Sequence, residues 1–197
     1  MNIDYHIIAN SADYYESKGF NRVESPWCVT KPVSDITRPP AAKDYQIDIN
    51  NKVIVASGEQ SFLYMYLKGF LPMGQFQTIT PCWRYETFDS LHTKYFIKNE
   101  LIETKTVTTE RLNQVVEIAV DFFSKYFPRN DLEVTSDGIS VLQMDIEYKG
   151  IELGSYGIRT CPYLEWIYAT GAAEPRISST IKRFELERRN NERLDCI

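Results

Sequence analysis

A guanidinium, carboxylates, an imidazole and an aromatic ring recur at short intervals in TPCWRYETFDSLHTKYFIKNELIE, residues 80–103. Arg84 and Glu86 stand near the end of one apolar run, Asp89 and Ser90 make a short polar crossing, and His92, Phe96 and Glu100 follow at intervals of four on the returning run. Side chains alternate between the faces of a strand, so a β-hairpin over this stretch puts Arg84 and Glu86 on one face, and likewise His92, Phe96 and Glu100. A guanidinium grips phosphate oxygens as a planar fork, a ring stacks on a base, and a carboxylate accepts from an exocyclic amine. Those are the groups that a bound ATP requires. For Arg84 and Glu86 taken alone, an amphipathic hairpin with its charges in water accounts for the pattern equally well.

The rest of the chain must position that hairpin. With 197 residues, 43% of them hydrophobic, there is enough apolar material for one well-buried core and too little chain for two, so a single domain over residues 1–197 is expected. No apolar run approaches the roughly 18–20 residues that cross a bilayer, and the polar start lacks the basic-then-apolar plan of a signal peptide. A cytoplasmic protein is the expectation. Cys28, Cys82, Cys161 and Cys196 form no C-x-x-C pair and lie far apart, which speaks for reduced thiols rather than a zinc knuckle or disulfide framework. A net charge of −5 opposes binding to nucleic acid through the overall field. The basic residues Lys182, Arg183, Arg188, Arg189 and Arg193 are interleaved with Glu185, Glu187 and Glu192 and read as a solvated helix face.

In chain order, Tyr5, Ile8, Ala12 and Tyr15 give a helical stripe closed by Gly19, where a left-handed residue is wanted. Phe20 and Val23 then flank polar positions before Pro26, as in an edge strand, and the Pro- and Asp-rich stretch from about 30 to 50 reads as an irregular connection. A short apolar strand over 52–56 precedes Ser57-Gly58-Glu59, which is either a Ser-capped helix start or a functional loop, and a helix follows as far as Gly69. The next helix, with a broad apolar face, runs from Thr108 or Thr109 until Pro128 stops it. Strands over 132–135, 139–148 and 151–158, with turns at Asp137-Gly138 and Lys149-Gly150, predict successive antiparallel hairpins. Gly154 and Gly157, between Glu152 and Arg159, mark a close approach of ligand or backbone, or else a bulged surface strand. The last segment, from Leu164, reads as an apolar strand, a Gly, and a helix opened by Pro175 with Arg176 at its start.

The spacing Arg84-x-Glu86, short loop, His92-xxx-Phe96-xxx-Glu100 resembles motif 2 of the class II aminoacyl-tRNA synthetases. Lys18-Gly19-Phe20-xx-Val23-xx-Pro26 is similar to motif 1, and Gly171-Ala172-Ala173-Glu174-Pro175-Arg176 resembles motif 3, with Ala173 in place of a Gly and Glu174-Pro175 in place of one acidic residue. The resemblance covers nearly the whole chain. It implies an α+β fold with an antiparallel β-sheet flanked by helices, standing as a catalytic core without an anticodon-binding domain. It further implies ATP-dependent activation of an amino acid, or a similar carboxylate, as an acyl-adenylate. Arg84 would hold the α-phosphate, His92 and Arg176 the γ end, Glu86 and Phe96 the adenine, and Glu152 the Mg²⁺ that bridges the phosphates. Glu59 resembles the acid that meets the substrate amine in some members, and Arg159 with Glu152 would complete the substrate side. The acyl acceptor could be tRNA, a protein lysine or a carrier thiol, with tRNA binding weak at this charge. The altered motif 3 also admits a non-catalytic paralogue serving as a regulatory subunit or sensor.

In the family, motif 1 builds a dimer interface, and an apolar strand after a one-sided helix needs a partner to cover it. A homodimer is therefore expected. Light scattering at micromolar concentration should return twice the 22.9 kDa chain mass; a monomer would remove this expectation.

Overall fold

Four long strands carry the architecture. In the computed structural model, which describes residues 2–47, 51–85, 93–136 and 142–194 and the side chains as far as residue 188, β5 (Gln75–Trp83) pairs with β6 (Tyr95–Glu103), β6 with β10 (Leu164–Glu174) and β10 with β9 (Ile151–Cys161), all antiparallel. The sheet is extended on one side by β1 (Asn21–Arg22) and on the other by β8 (Gln143–Tyr148) and β7 (Leu132–Thr135), in the order β1-β5-β6-β10-β9-β8-β7. Among the described strands only β1 runs parallel to its neighbour, so the antiparallel sheet expected from the sequence is mixed at that one edge. The first helix, α1 (Tyr5–Ser17), places the chain for that single parallel pairing. It ends as expected: Gly19 has φ +93°, Phe20 N–H bonds Tyr15 O at 3.0 Å and Gly19 N–H bonds Glu16 O at 3.0 Å, the two bonds of a Schellman close.

Alternation gives the sheet two unlike faces. Ile79, Ile97, Leu101, Tyr156, Ile167 and Ala169 face α1 and α4 (Thr109–Phe123) in the larger apolar cluster, with Tyr15, Val116, Ala119, Phe122 and Phe123. Buried amides tie that face to α1: Gln77 Nε2 donates to Ala12 O at 2.9 Å and to Phe20 O at 3.0 Å, and Asn99 Nδ2 donates to Gln77 Oε1 at 3.0 Å and Ser11 Oγ at 3.1 Å. On the opposite face Phe76, Ile102, Trp166 and Tyr168 pack with Phe62 and Leu63 of α3 (Gly58–Leu67), and beyond them the strands present polar side chains. The final helix, α5 (Arg176–Leu194), follows β10 directly; Lys182, Arg183 and Arg188 on it are exposed, as expected of a solvated face.

Three sequence expectations are corrected. The 30–50 segment is not irregular throughout: β2 (Cys28–Thr30), α2 (Lys31–Ser34), β3 (Tyr45–Ile47) and β4 (Lys52–Ile54) build a second sheet in the order β2-β4-β3, from strands too short for their alternation to register. Gly171 does not end its strand. It sits at the register shift between Thr170 and Ala172 inside β10, where a Cβ would lie 2.9 Å from Tyr15 Cε2 and 3.1 Å from Asn99 O. Pro175 is not the first helical residue but the cap of α5, its carbonyl accepting from Ser179 N–H at 2.9 Å.

The two glycines of β9 answer to protein neighbours. A Cβ at Gly154 would stand 2.7 Å from Tyr156 Oη, and one at Gly157 2.5 Å from Leu142 O and 2.7 Å from Tyr168 Oη. Because a backbone carbonyl cannot rotate away as a side chain can, Gly157→Ala should lower stability by about 1–3 kcal/mol, read as a shift of the urea midpoint. An unchanged midpoint would contradict this packing.

Candidate functional site

The polar face of the sheet is the floor of a cavity of about 680 Å³. Its lining includes Ser57 and Glu59 from the start of α3, Arg84 after β5, Phe96, Lys98 and Glu100 from β6, Glu152 and Arg159 from β9, and Arg176 from α5. Cys82 pairs with Phe96, Thr80 with Lys98 and Thr78 with Glu100, so the even positions of the hairpin share this face. Arg84 extends the same register, its N–H bonding Lys94 O at 2.9 Å. Of the residues singled out in the sequence, Arg84, Phe96, Glu59, Glu152, Arg159 and Arg176 thus meet around one cavity. Glu86 and His92 lie outside the described residues.

At one end Arg84 lies over Phe96, its Cζ 5.1 Å from the ring centroid, while its Nε donates to Ala56 O at 3.1 Å. The ring and the carbonyl both help to hold the guanidinium in place. Arg176, also lining this cavity, donates from Nη1 to Glu152 Oε1 at 2.9 Å and to Glu152 O at 3.3 Å. The turn that carries Arg176 is held by Glu174, which accepts from Ser178 N–H at 2.9 Å, Ser178 Oγ at 2.7 Å and Asp4 N–H at 3.0 Å. Burial pushes the Glu174 carboxyl up, and those hydrogen bonds draw it back.

The other end is built on Glu59, which is 4% exposed. Its Oε1 accepts from Trp166 Nε1 at 2.7 Å and its Oε2 from Arg159 Nη1. Arg159 in turn lies over Tyr168, Cζ 4.0 Å from the ring centroid. Burial raises the Glu59 carboxyl above the ordinary glutamate range; Arg159 pulls it down, Glu100 pushes it up, and the Trp166 hydrogen bond lowers it again. Between the two ends, Glu100 accepts from Lys98 Nζ at 2.9 Å and from Ser57 Oγ at 2.6 Å. Ser57 also caps α3, accepting from Glu59 N–H at 3.3 Å, so Ser57-Gly58-Glu59 is the capped helix start, and Ser57 and Glu59 line the cavity.

Sequence reasoning missed Lys98, although its place two residues after Phe96 on one strand face was signal enough. It also missed the 37–43 wall, where Arg38 and Lys43 line the cavity, and the contact that joins it to the hairpin: Tyr45 of β3 stacks on Tyr85 with centroids 4.0 Å apart and planes at 8°. Nothing in the spacing of that segment signals either. Cys82 is fully buried beside Thr80 and its thiol is pushed up to about 11 by burial, which leaves it a packing residue rather than a nucleophile. Among the described residues no group of three or more His, Cys, Asp or Glu is arranged to hold a metal on protein ligands alone.

No protein-family model and no curated protein matches the sequence. Solved structures do match the fold. Pyrrolysyl-tRNA synthetase from Desulfitobacterium hafniense superposes with a TM-score of 0.72 at 16% identity, over 90% of this chain and 69% of that one. Seryl-tRNA synthetase from Pyrococcus horikoshii, complexed with ATP, gives 0.68 at 13% identity over 90% of this chain and 49% of its own. Cytoplasmic serine-tRNA ligase from Naegleria fowleri, in complex with AMP, gives 0.67 at 14% over 88% and 52%. The fold is that of a class II aminoacyl-tRNA synthetase catalytic core, and the chain spans about half the length of the two seryl enzymes.

The Glu59 pair sets a pH dependence. A carboxyl raised by burial lends stability in its protonated form, fully present below the ordinary glutamate range and lost as pH rises through the raised value. Arg159→Gln removes the charge that pulls Glu59 down, so it should destabilise the fold at pH 7.5 by about 1–3 kcal/mol, discounted from the fully buried case because the Arg159 side chain is 40% exposed. That deficit should narrow as pH falls toward the ordinary glutamate range, and thermal unfolding of both proteins across pH 5 to 7.5 measures it. A deficit independent of pH would show that Glu59 does not carry the charge.

Proposed function

We propose that this chain activates the carboxylate of an amino acid with ATP, giving an acyl-adenylate and pyrophosphate. The observation that carries the reading is the placement of Arg84 over Phe96 in the same cavity as Arg176, a ring and two planar cations suited to a base and a chain of phosphates. Arg84 would receive the α-phosphate and Arg176 the γ end, with adenine against Phe96. Glu86 and His92 belong to the proposal by sequence alone, as adenine and γ-phosphate ligands. The substrate carboxylate attacks the α-phosphorus, the bond to the bridging oxygen breaks, and pyrophosphate leaves. Arg84 matters most as charge grows on the α-phosphate oxygens, where an oriented donor in a water-poor site lowers the barrier.

Mg²⁺ fits the donor set, since it takes one or two carboxylates together with phosphate oxygens and needs no protein cage. Glu152 is exposed in the cavity and would be its protein ligand, and the ion when bound would offset charge on the phosphates. Cys82 supplies no covalent route, and none is required. The homodimer belongs to the same proposal, supported by the exposed Trp27 beside Pro26 and by the two-residue edge strand β1. The acyl acceptor, tRNA or a carrier group, would approach from outside this core, and its binding would be weak and salt-dependent at a net charge of −5.

Amino-acid-dependent exchange of labelled pyrophosphate into ATP, run across the twenty amino acids, tests the reading. Arg84→Lys keeps the charge and loses the fork, so it should cut the exchange rate by about 10²-fold with the protein still folded. Arg176→Ala should chiefly weaken ATP. If calorimetry finds no ATP binding and Arg84→Lys behaves as wild type, the site assignment falls; ATP binding without exchange for any amino acid would leave a sensor.

A further inference from the structure

The Glu59 end of the cavity holds a guanidinium for which the nucleotide has no use. Arg176 pairs with Glu152, whereas Arg159 stands seven residues further along β9, about 23 Å from Glu152 at roughly 3.3 Å per residue. Between them lie Glu100 and Lys98. If the reacting carboxylate meets Arg84, the remainder of the substrate extends toward Glu59 and Arg159.

What that end can still bind follows from which groups are already matched. Both oxygens of Glu59 are taken, one by Trp166 and one by Arg159, and both oxygens of Glu100 are taken by Lys98 and Ser57. Arg159 is different. A guanidinium carries five N–H donors in a rigid fork, and only Nη1 is committed, to Glu59. Its Cζ stands over Tyr168, 4.0 Å from the ring centroid, which helps to anchor it, and the side chain remains 40% exposed where it lines the cavity. A flat, anchored guanidinium with an uncommitted edge has the geometry for a bidentate carboxylate. A neutral side chain there would strip water from those donors without replacing it, and a basic one would meet a like charge.

We infer that the substrate amino acid carries a second carboxylate, of the aspartate and glutamate class, and that Arg159 receives it while Glu59 and Tyr168 hold Arg159 in place. This rests on the adenylation reading only for the direction in which the substrate lies. Arg159 determines specificity, and Glu59 is a positioning residue.

The test is calorimetric titration of the wild-type protein with L-aspartate, L-glutamate, L-asparagine, L-glutamine and L-lysine, in the presence of a non-hydrolysable ATP analogue. One of the two acids should bind, with its amide about 10- to 100-fold weaker. Arg159→Lys keeps a cation beside Glu59, so the fold stands, but the fork is lost. Acid binding should weaken by about 10-fold or more while the analogue binds as before. Amides or lysine binding as tightly as the acids, no amino acid binding at all, or acid binding unmoved by Arg159→Lys would each overturn the inference. Pyrophosphate exchange separates it from its premise: exchange driven only by neutral or basic amino acids keeps adenylation and sinks Arg159's role, whereas acid binding that Arg159→Lys weakens, without exchange, keeps Arg159's role and sinks adenylation.

Discussion

A charged group taken out of water must find its counter-charge inside the protein, and this structure turns on that requirement. The central strands send apolar side chains to the helices and polar ones to the cavity floor, so carboxylates and cations are buried together. Glu59 and Glu100 are both under 5% exposed. An unpaired carboxylate at such a place costs several kcal/mol, so each is held on two sides. Their partners come from different elements: Ser57 from the cap of α3, Lys98 from β6, Arg159 from β9 and Trp166 from β10. The bonds that neutralise the site are therefore also those that fasten α3 to the sheet, and removing a site charge loosens the fold.

Much of this was readable in advance because strong periodicity and special residues carry it. The hairpin followed from two apolar runs around a polar crossing, the end of α1 from Gly19, and the turn before β9 from Lys149-Gly150, whose φ values are +50° and +76°. Arg84 and Phe96 could be put on one face because a strand leaves no other choice once its register is set. The small sheet could not be read, since three-residue strands complete little more than one alternation. Neither could the wall at Arg38, whose Nε lies 3.3 Å from Asp44 Oδ2 in a loop with no period of its own. Gly157 was legible as a close approach, but its partners, Leu142 O and Tyr168, are set by strand pairing that only the folded chain defines.

The reverse face of the sheet explains how distant residues reach the same cavity. Gln77 and Asn99 hold α1 to β5 and β6, and the residues just before α1 reach Glu174 through the Asp4 N–H bond. Glu174 in turn fixes the first turn of α5, where Arg176 stands. The chain's first and last elements thus meet at the cavity edge, and the position of Arg176 depends on contacts made on the side of the sheet away from it.

The ion pairs around the cavity differ in how readily a ligand can replace them. Arg176 and Glu152 have side chains 21% and 48% exposed, and a pair so open to water is worth about 0–1 kcal/mol, less than a phosphate offers. Arg176 can therefore leave Glu152 for an anion, and Glu152 is released at the same moment toward any cation that accompanies it. Glu59 cannot make that exchange. It is buried, bonded to an indole that has no other acceptor, and attached to an arginine that rests on a ring. Arg176 is thus exchangeable and Arg159 fixed, and a fixed guanidinium selects among ligands by shape, because only a group that fits its remaining edge regains what desolvation removes.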